Sequence, residues 1–280
     1  MSPVVPRWNP RGDGMRLGFR TRYEQDVSRG RAQLKPGRVV TEQDLSGLPH
    51  LLQTYLRRVG VVGHPQVRAF HVRFSGELRR SHDSGWMKIQ VEQHTFLGPE
   101  PARLFLLRAS RFGIPFEAFH RFVGPTATMQ VRVASLFQVV DAKGPEMDQG
   151  ETVTFFNDLC LLAPAALLEA DVTWDESGPS TLKGTFRHQD RSVSATLSFD
   201  DHGDLANFVS EDRFQSADGQ AYLRYPWSTP IHEYGNHAGF HLMSRAEALW
   251  IEPTGPFPYA RFVLESIAYN MGGASPGVEP

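Results

Sequence analysis

From about residue 66 onward the chain is dominated by apolar and polar residues alternating with a period of two. In Arg191–Phe199 the alternation is unbroken: Val193, Ala195, Leu197 and Phe199 interleave with Ser192, Ser194, Thr196 and Ser198. Residues 86–93 set Met87, Ile89, Val91 and Gln93 against Trp86, Lys88, Gln90 and Glu92. From Ala127, one face reads Ala127, Met129, Val131, Val133 and Phe137, and the other Thr128, Gln130, Arg132 and Gln138. Successive side chains of a strand point to opposite faces, so these runs predict antiparallel strands with one face buried. Further strands are expected over 66–80, 102–112, 115–123, 171–176, 180–188, 204–214, 244–251 and 257–269, separated by turn residues such as Asp200-Asp-His-Gly203 and Gly255-Pro256.

Two segments have helical spacing instead. Thr41-Glu-Gln-Asp44 has the form of a helix N-cap with acids in the first turn. Pro49 then opens a helix with Leu51, Leu52, Tyr55, Leu56 and Val59 on one stripe, and Gly60 stands at its C-cap. Residues 148–168 predict a second helix, interrupted at Pro164. Its wheel places Glu151, Thr154, Asn157 and Asp158 on one side and Val153, Phe155, Phe156, Leu159 and Cys160 on the other. Leu161 and Leu162 return to the polar sector, so the C-terminal half of this helix is expected to be enclosed all round. The absence of a strand–helix alternation excludes βαβ units. The expected fold is mainly β (α+β): a single large curved antiparallel sheet, a half-barrel of about nine to eleven strands, enclosing one or two helices over residues 41–270. Before it, residues 1–40 carry several prolines and eight arginines from Arg7 to Arg38, which predicts an extended or loosely packed basic arm. Residues 271–280 are expected to be a flexible tail.

Composition narrows the class. The 280 residues carry a net charge of −2, which argues against nucleic acid recognised through bulk charge. One cysteine excludes an internal disulfide framework and a CxxC metal site. No run of roughly 18 apolar residues predicts a membrane span. The first thirty residues contain no apolar h-region, so a cytoplasmic location is expected. No phosphate loop, dinucleotide fingerprint or nucleophile elbow is present, and no cofactor is expected.

Candidate chemistry centres on the 148–168 helix. Glu151 and Asp158 can serve as acid and base if one is desolvated, or can anchor the helix with Arg213 or Arg132 as counter-ion. His120 shares a predicted strand face with Phe116, Ala118 and Phe122, which makes it either a core histidine or a polar point in a cavity. Gln93 ends the apolar face of its strand and is a parallel case. Asp212 and Arg213 follow a face reading Ala206, Phe208 and Ser210, where a hydrogen-bonded corner competes with a binding role. His232-Glu-Tyr-Gly-Asn-His237 misses the HExxH spacing, and no metal site is expected from it. Cys160 reads as a small buried apolar residue.

The order of several motifs resembles an uncharacterised bacterial family. They are Leu48-Pro-x5-Tyr55-Leu56-x3-Gly60, Gly85-Trp86, Glu92-Gln93 and Pro101-Ala-Arg-Leu-Phe105, then Ala127-Thr-Met129 and Glu151-Thr-Val-Thr154-x2-Asn157-Asp158-x-Cys160-x2-Ala163-Pro164. Phe208-x-Ser210-x-Asp212-Arg213, Trp227-Ser-Thr-Pro230 and Tyr269-Asn270 continue the match. More remotely the family is similar to the LolA/LolB-type lipoprotein-carrier half-barrels. That resemblance implies a curved sheet with helices in its concavity and an apolar ligand cavity. The expected function is a binding or carrier protein for an apolar, lipid-like or amphipathic small molecule. Gln93, His120, Met129, Thr154, Asn157, Asp212 and Arg213 are the candidate ligand contacts. The alternative is a cofactor-independent enzyme in which Glu151 or Asp158, with His120, carries the chemistry in the same cavity.

Overall fold

The computed structural model describes residues 18–98, 100–134, 137–216 and 221–271. Its strands are β1 (Ala69–Leu78), β2 (Met87–Phe96), β3 (Ala102–Arg111), β4 (Ile114–Val123), β5 (Thr126–Val133), β6 (Phe137–Lys143), β7 (Val172–Gly178) and β8 (Thr181–His188). They continue with β9 (Arg191–Phe199), β10 (Leu205–Ser210), β11 (Phe214–Gln215), β12 (Leu223–Arg224), β13 (Trp227–Ser228), β14 (Ile231–His237), β15 (Phe240–Glu252) and β16 (Gly255–Tyr269). Three α-helices accompany them: α1 (Phe19–Ala32), α2 (His50–Val59) and α3 (Pro145–Leu161).

Fourteen strands form one antiparallel sheet in the order β6-β5-β4-β3-β2-β1-β16-β15-β13-β10-β9-β8-β7, with β14 paired to β15. The sheet does not close on itself. Helix α3 touches β5 and β6 near one end of this order and β9 and β10 near the other. A sheet whose two arms meet the same helix must curl around it, so the molecule is the expected half-barrel with its helix in the concavity. Residues 150–161 of α3 are all buried, which fulfils the reading of Leu161 and Leu162. Helix α2 and the 3-10 turn Pro164–Leu168 close one end of the core. The capping box of Thr41 with Asp44 and the left-handed Gly60 (φ 88°) stand where the sequence placed them, although Glu42–Leu45 makes only a 3-10 turn.

The sheet holds fourteen strands where about nine to eleven were expected, and two further expectations need correction. Part of the basic arm is the helix α1. Its Phe19, Tyr23, Val27 and Gly30 recur at helical spacing and pack on the convex face of the sheet against Phe96, Ala102, Leu104, Leu106, Phe119 and Val123. A Cβ on Gly30 would come within 2.5 Å of the Phe96 ring, so glycine there permits the close approach. Three apolar residues among four arginines give little amphipathic signal, and it is the second apolar face of β3 that supplies their partner. Residues 1–17 and 272–280 lie outside the described residues. The run at 127–137 is two strands rather than one. Ala134 takes a left-handed φ of 51°, and the chain returns as β6. Val133 opposes Phe137 across that hairpin, so both lie on one face and the alternation runs through the turn without a break.

Candidate functional site

Directly opposed residues of antiparallel strands share a face, so the register builds the concave surface in rows. Phe70, Thr95, Arg103, Phe122 and Ala127 form one row across β1–β5. Val72, Gln93, Phe105, His120, Met129 and Ala142 form the next. Phe74, Val91, Leu107, Ala118, Val131 and Val140 form a third, and Gly76, Ile89, Ala109, Phe116, Val133 and Phe137 a fourth. The first row is buried throughout. In the third and fourth rows burial fades towards β6: Ala118, Val131, Val140, Phe116 and Val133 are half-buried, and Phe137 is 69% exposed. The result is a strip of half-covered apolar surface. One end is bounded by His120 and Met129, and the other by the hairpin tips between β3 and β4 and between β5 and β6. At the β3–β4 tip Phe112 and Ile114 are also exposed, and between that tip and the connection from β1 to β2 lies an open pocket of about 490 Å³, outside the strip, lined by Gly85, Trp86, Met87, Lys88, Ser110 and Phe112.

The polar end of the strip is a buried ionic network. Glu151 and Asp158 lie two turns apart on α3 and present their carboxylates to the sheet on one helix face. Arg103 of β3 bridges them. Its Nε donates to Asp158 Oδ2 at 2.6 Å, its Nη1 to Glu151 Oε2 at 3.1 Å and its Nη2 to Gln93 Oε1 at 3.1 Å. Gln93 Nε2 donates in turn to Asp158 Oδ2 at 2.7 Å and to Thr95 Oγ1 at 2.9 Å. On the far side, Glu151 Oε1 faces His120 Nδ1 at 3.3 Å and Arg213 Nη2 at 3.8 Å. Arg213 lies over the rings of Trp227 (4.2 Å) and Trp250 (5.6 Å), and its Nη1 donates to Tyr259 Oη at 3.2 Å. The indole Nε1 of Trp227 donates to the same oxygen at 3.0 Å.

Burial raises the cost of charge on every group here, and the balance differs between the two acids. For Glu151, burial is outweighed by Arg103, His120 and Arg213 together, so its carboxyl sits below the usual range. For Asp158, burial prevails over Arg103 and Gln93, with Glu151 adding repulsion, so its carboxyl sits above that range. Burial also disfavours the charge on Arg103, yet its two carboxylates outweigh this and keep the guanidinium firmly charged. One guanidinium holding two carboxylates ties α3 to β3. This is the anchoring alternative weighed from the sequence, with a different principal counter-ion.

Of the residues singled out from the sequence, Gln93, His120, Glu151, Asp158 and Arg213 come together, and Met129 adjoins His120 across the β4–β5 pair. Thr154, Asn157 and Asp212 do not join them. Thr154 Oγ1 donates to the Gly150 carbonyl of its own helix at 3.0 Å, and Asn157 Nδ2 to Thr229 Oγ1 at 2.7 Å. The Asp212 carboxylate accepts from the Ser194 N–H and from Arg224, both at 2.8 Å, and so closes a corner after β10. Arg132 is on the convex face, 4.2 Å over the Phe19 ring, and cannot be a counter-ion to α3. Arg103, Thr95 and Tyr259 were missed. The signal for Arg103 was present, since it shares strand parity with Phe105, Leu107 and Ala109. Cys160 is buried, which pushes its thiol up and leaves it unreactive.

Other histidines serve the scaffold. His237 Nε2 meets Ser244 Oγ at 2.8 Å, and His241 Nε2 lies 3.1 Å from Asp204, which Arg58 clamps at 2.6 and 2.7 Å. On the convex face the ligating atoms of His71, Glu92 and His94 lie within 4.8 Å of one another. Those atoms are already engaged beneath α1. Arg20 bonds Glu92, Tyr23 Oη lies 2.7 Å from His94 Nδ1, and Arg31 Nη2 lies 3.3 Å from His94 Nε2. These three side chains are thus tied into hydrogen bonds with α1 and with one another, His71 Nε2 lying 3.2 Å from Glu92 Oε1.

No curated protein matches the sequence at a significant level. Among solved structures, a LolA superfamily protein from Nitrosomonas europaea is similar at 12% identity and a TM-score of 0.40, over 83% of this chain and 94% of that one. A Vibrio parahaemolyticus domain named for outer membrane lipoprotein sorting is similar at 10% identity and a TM-score of 0.39, over 74% of this chain and 87% of that one. Residues 38–262 match the model of a family of unknown function, DUF6544, and with most of its length inside that match the chain belongs to this family.

Proposed function

We propose that this protein binds an apolar or amphipathic small molecule on the concave face of β3–β6. The observation that supports this reading is the half-covered strip of Phe116, Ala118, Met129, Val131, Val133 and Val140, which keeps apolar surface within reach of solvent beside the buried core. Covering such a surface is favourable by about 25 cal/mol per Å² of apolar area removed from water. The strip runs from exposed hairpin tips to a polar end, the layout of a site that takes a chain first and orients it by a few hydrogen bonds. The carboxylates favour binding over acid–base catalysis. Asp158 is committed to Arg103 and Gln93, and His120 approaches Glu151 rather than Asp158.

The test combines native mass spectrometry of the purified protein, solvent extraction of any co-purifying molecule, and titration with the apolar fluorophore N-phenyl-1-naphthylamine. A saturable fluorescence rise is expected in the wild type, with a loss of at least tenfold in affinity for Val131→Asp. Absence of saturable binding, or equal binding by Val131→Asp, would refute the reading.

A further inference from the structure

Arg213 is the one member of the ionic network whose hydrogen-bonding capacity is largely unspent. Its side chain is 14% exposed and holds five N–H donors. Among the described residues a single hydrogen bond is made from it, Nη1 to Tyr259 Oη at 3.2 Å. Its separation of 3.8 Å from Glu151 Oε1 is ion-pair range, too long for a hydrogen bond. Arg103, by contrast, satisfies three acceptors, so it has no comparable demand. A largely buried guanidinium left with open donors is costly, and an incoming oxygen acceptor would relieve that cost. Trp227 and Trp250 stack on the guanidinium and Tyr259 pins one edge, so it is held in place before any ligand arrives.

Its place in the fold says what kind of ligand this is. Arg213 and His120 approach the same oxygen, Glu151 Oε1, so a single head group can reach both. His120 is 19% exposed and stands at the polar end of the apolar strip, next to Met129. We infer that the ligand is a chain with a terminal oxyanion, a carboxylate or a phosphate monoester, whose head group is received by Arg213 and His120 while its chain lies along Phe116, Ala118, Val131 and Val133. This rests on the binding reading above and adds the chemistry of the head group. Glu151 repels an incoming anion in part, since Arg103 is shared between it and Asp158, but its Oε1 stands 3.8 Å from Arg213 and makes no hydrogen bond there, which leaves the guanidinium's donors to a head group of the kind that carboxylates and phosphates form.

Displacement of N-phenyl-1-naphthylamine from the full chain by dodecanoate, monododecyl phosphate, dodecanol and dodecylamine tests it. The same titrations are run on Arg213→Gln and Arg213→Lys, with thermal melts to confirm folding. One or both oxyanions should bind roughly ten- to a hundredfold more tightly than the alcohol, the worth of one or two charge-assisted hydrogen bonds, and the amine more weakly still. Which oxyanion leads separates a carboxylate source from a phosphate source. Arg213→Gln should erase the preference, weakening the oxyanions roughly ten- to a hundredfold and dodecanol far less, and Arg213→Lys should keep part of it. If Arg213→Gln does not fold, the wild-type ranking and the lysine variant still decide. Equal binding of acid and alcohol, or a preference that survives in a folded Arg213→Gln, overturns the head-group inference and leaves apolar binding standing. Failure of the fluorophore and all four ligands to bind overturns both.

Discussion

Replacing Arg103 with methionine isolates what holds α3 in the concavity. Methionine fills much of the same volume but removes three hydrogen bonds, at 2.6, 3.1 and 3.1 Å, and leaves Glu151 and Asp158 buried on one helix face. Removing one partner of a buried ion pair costs about 3–5 kcal/mol. An independent bound agrees. The variant can escape by protonating Asp158, and at pH 7 a carboxyl with an ordinary pKa near 4 takes up a proton at a cost of about 4 kcal/mol. This escape gives the variant a signature that lost packing lacks. Its folded-state carboxyls are raised above their unfolded values, so the folded protein takes up protons first and the penalty shrinks as pH falls, by up to about 1.4 kcal/mol per pH unit. Urea titrations followed by tryptophan fluorescence, for wild type and Arg103→Met between pH 8 and pH 5, measure both the size and the slope. Adding Asp158→Asn should restore much of the stability, because Glu151 keeps His120 and Arg213 beside it while the carboxylate that relied on Arg103 is gone. A loss below about 1 kcal/mol, or a penalty that does not change with pH, would refute the claim that this clasp is electrostatic.

Other predictions concern the scaffold. Burial and neighbouring cations carry His94 from 6.5 down to about 3, so its contribution to stability is complete above pH 6.5 and is lost as pH falls towards 3. Between pH 7 and pH 5 this amounts to about 2 kcal/mol, and it should be absent from His94→Gln; parallel pH profiles for the two proteins would contradict it. Phe19→Ala should cost about 3–5 kcal/mol or detach α1, read as proteolytic cleavage within residues 19–32, because Phe19 is 1% exposed. Resistance equal to wild type would show that α1 does not depend on this anchor. Gly76→Ala should destabilise by about 1–3 kcal/mol, since the added Cβ would fall 1.9 Å from the Arg261 carbonyl oxygen of the paired strand, which cannot swing aside as a side chain can. A melting temperature within a degree or so of wild type would show that the β1–β16 pairing yields easily.

Much of the architecture could be read from local pattern. The period-two runs at Arg191–Phe199 and at residues 87–93 of β2 named strands and faces correctly because one face of each is buried and the other is more open to water over that stretch. The return of Leu161 and Leu162 to the polar sector of α3 foretold its enclosure, since a helix apolar all round needs cover on every side. Glu151, Asp158, Gln93, His120 and Arg213 were legible as polar groups at inward positions, a costly placement that marks them without naming their partners. Partners are a matter of register. Arg103 became the counter-ion, and Arg132 did not, because strand pairing puts one beneath α3 and the other behind the sheet next to Phe19. Asp212 and Asn157 were drawn off by a corner and by Thr229, contacts made across long sequence separations that no local window contains. Helix α1 was hidden for the same reason, as its few apolar residues acquire meaning only opposite Leu104, Leu106 and Phe119. The sequence by itself determined which residues avoid water. Only the tertiary structure decided which of them meet and which stay open to a ligand, because hydrophobic burial is non-directional whereas hydrogen bonds and ion pairs depend on where distant strands align.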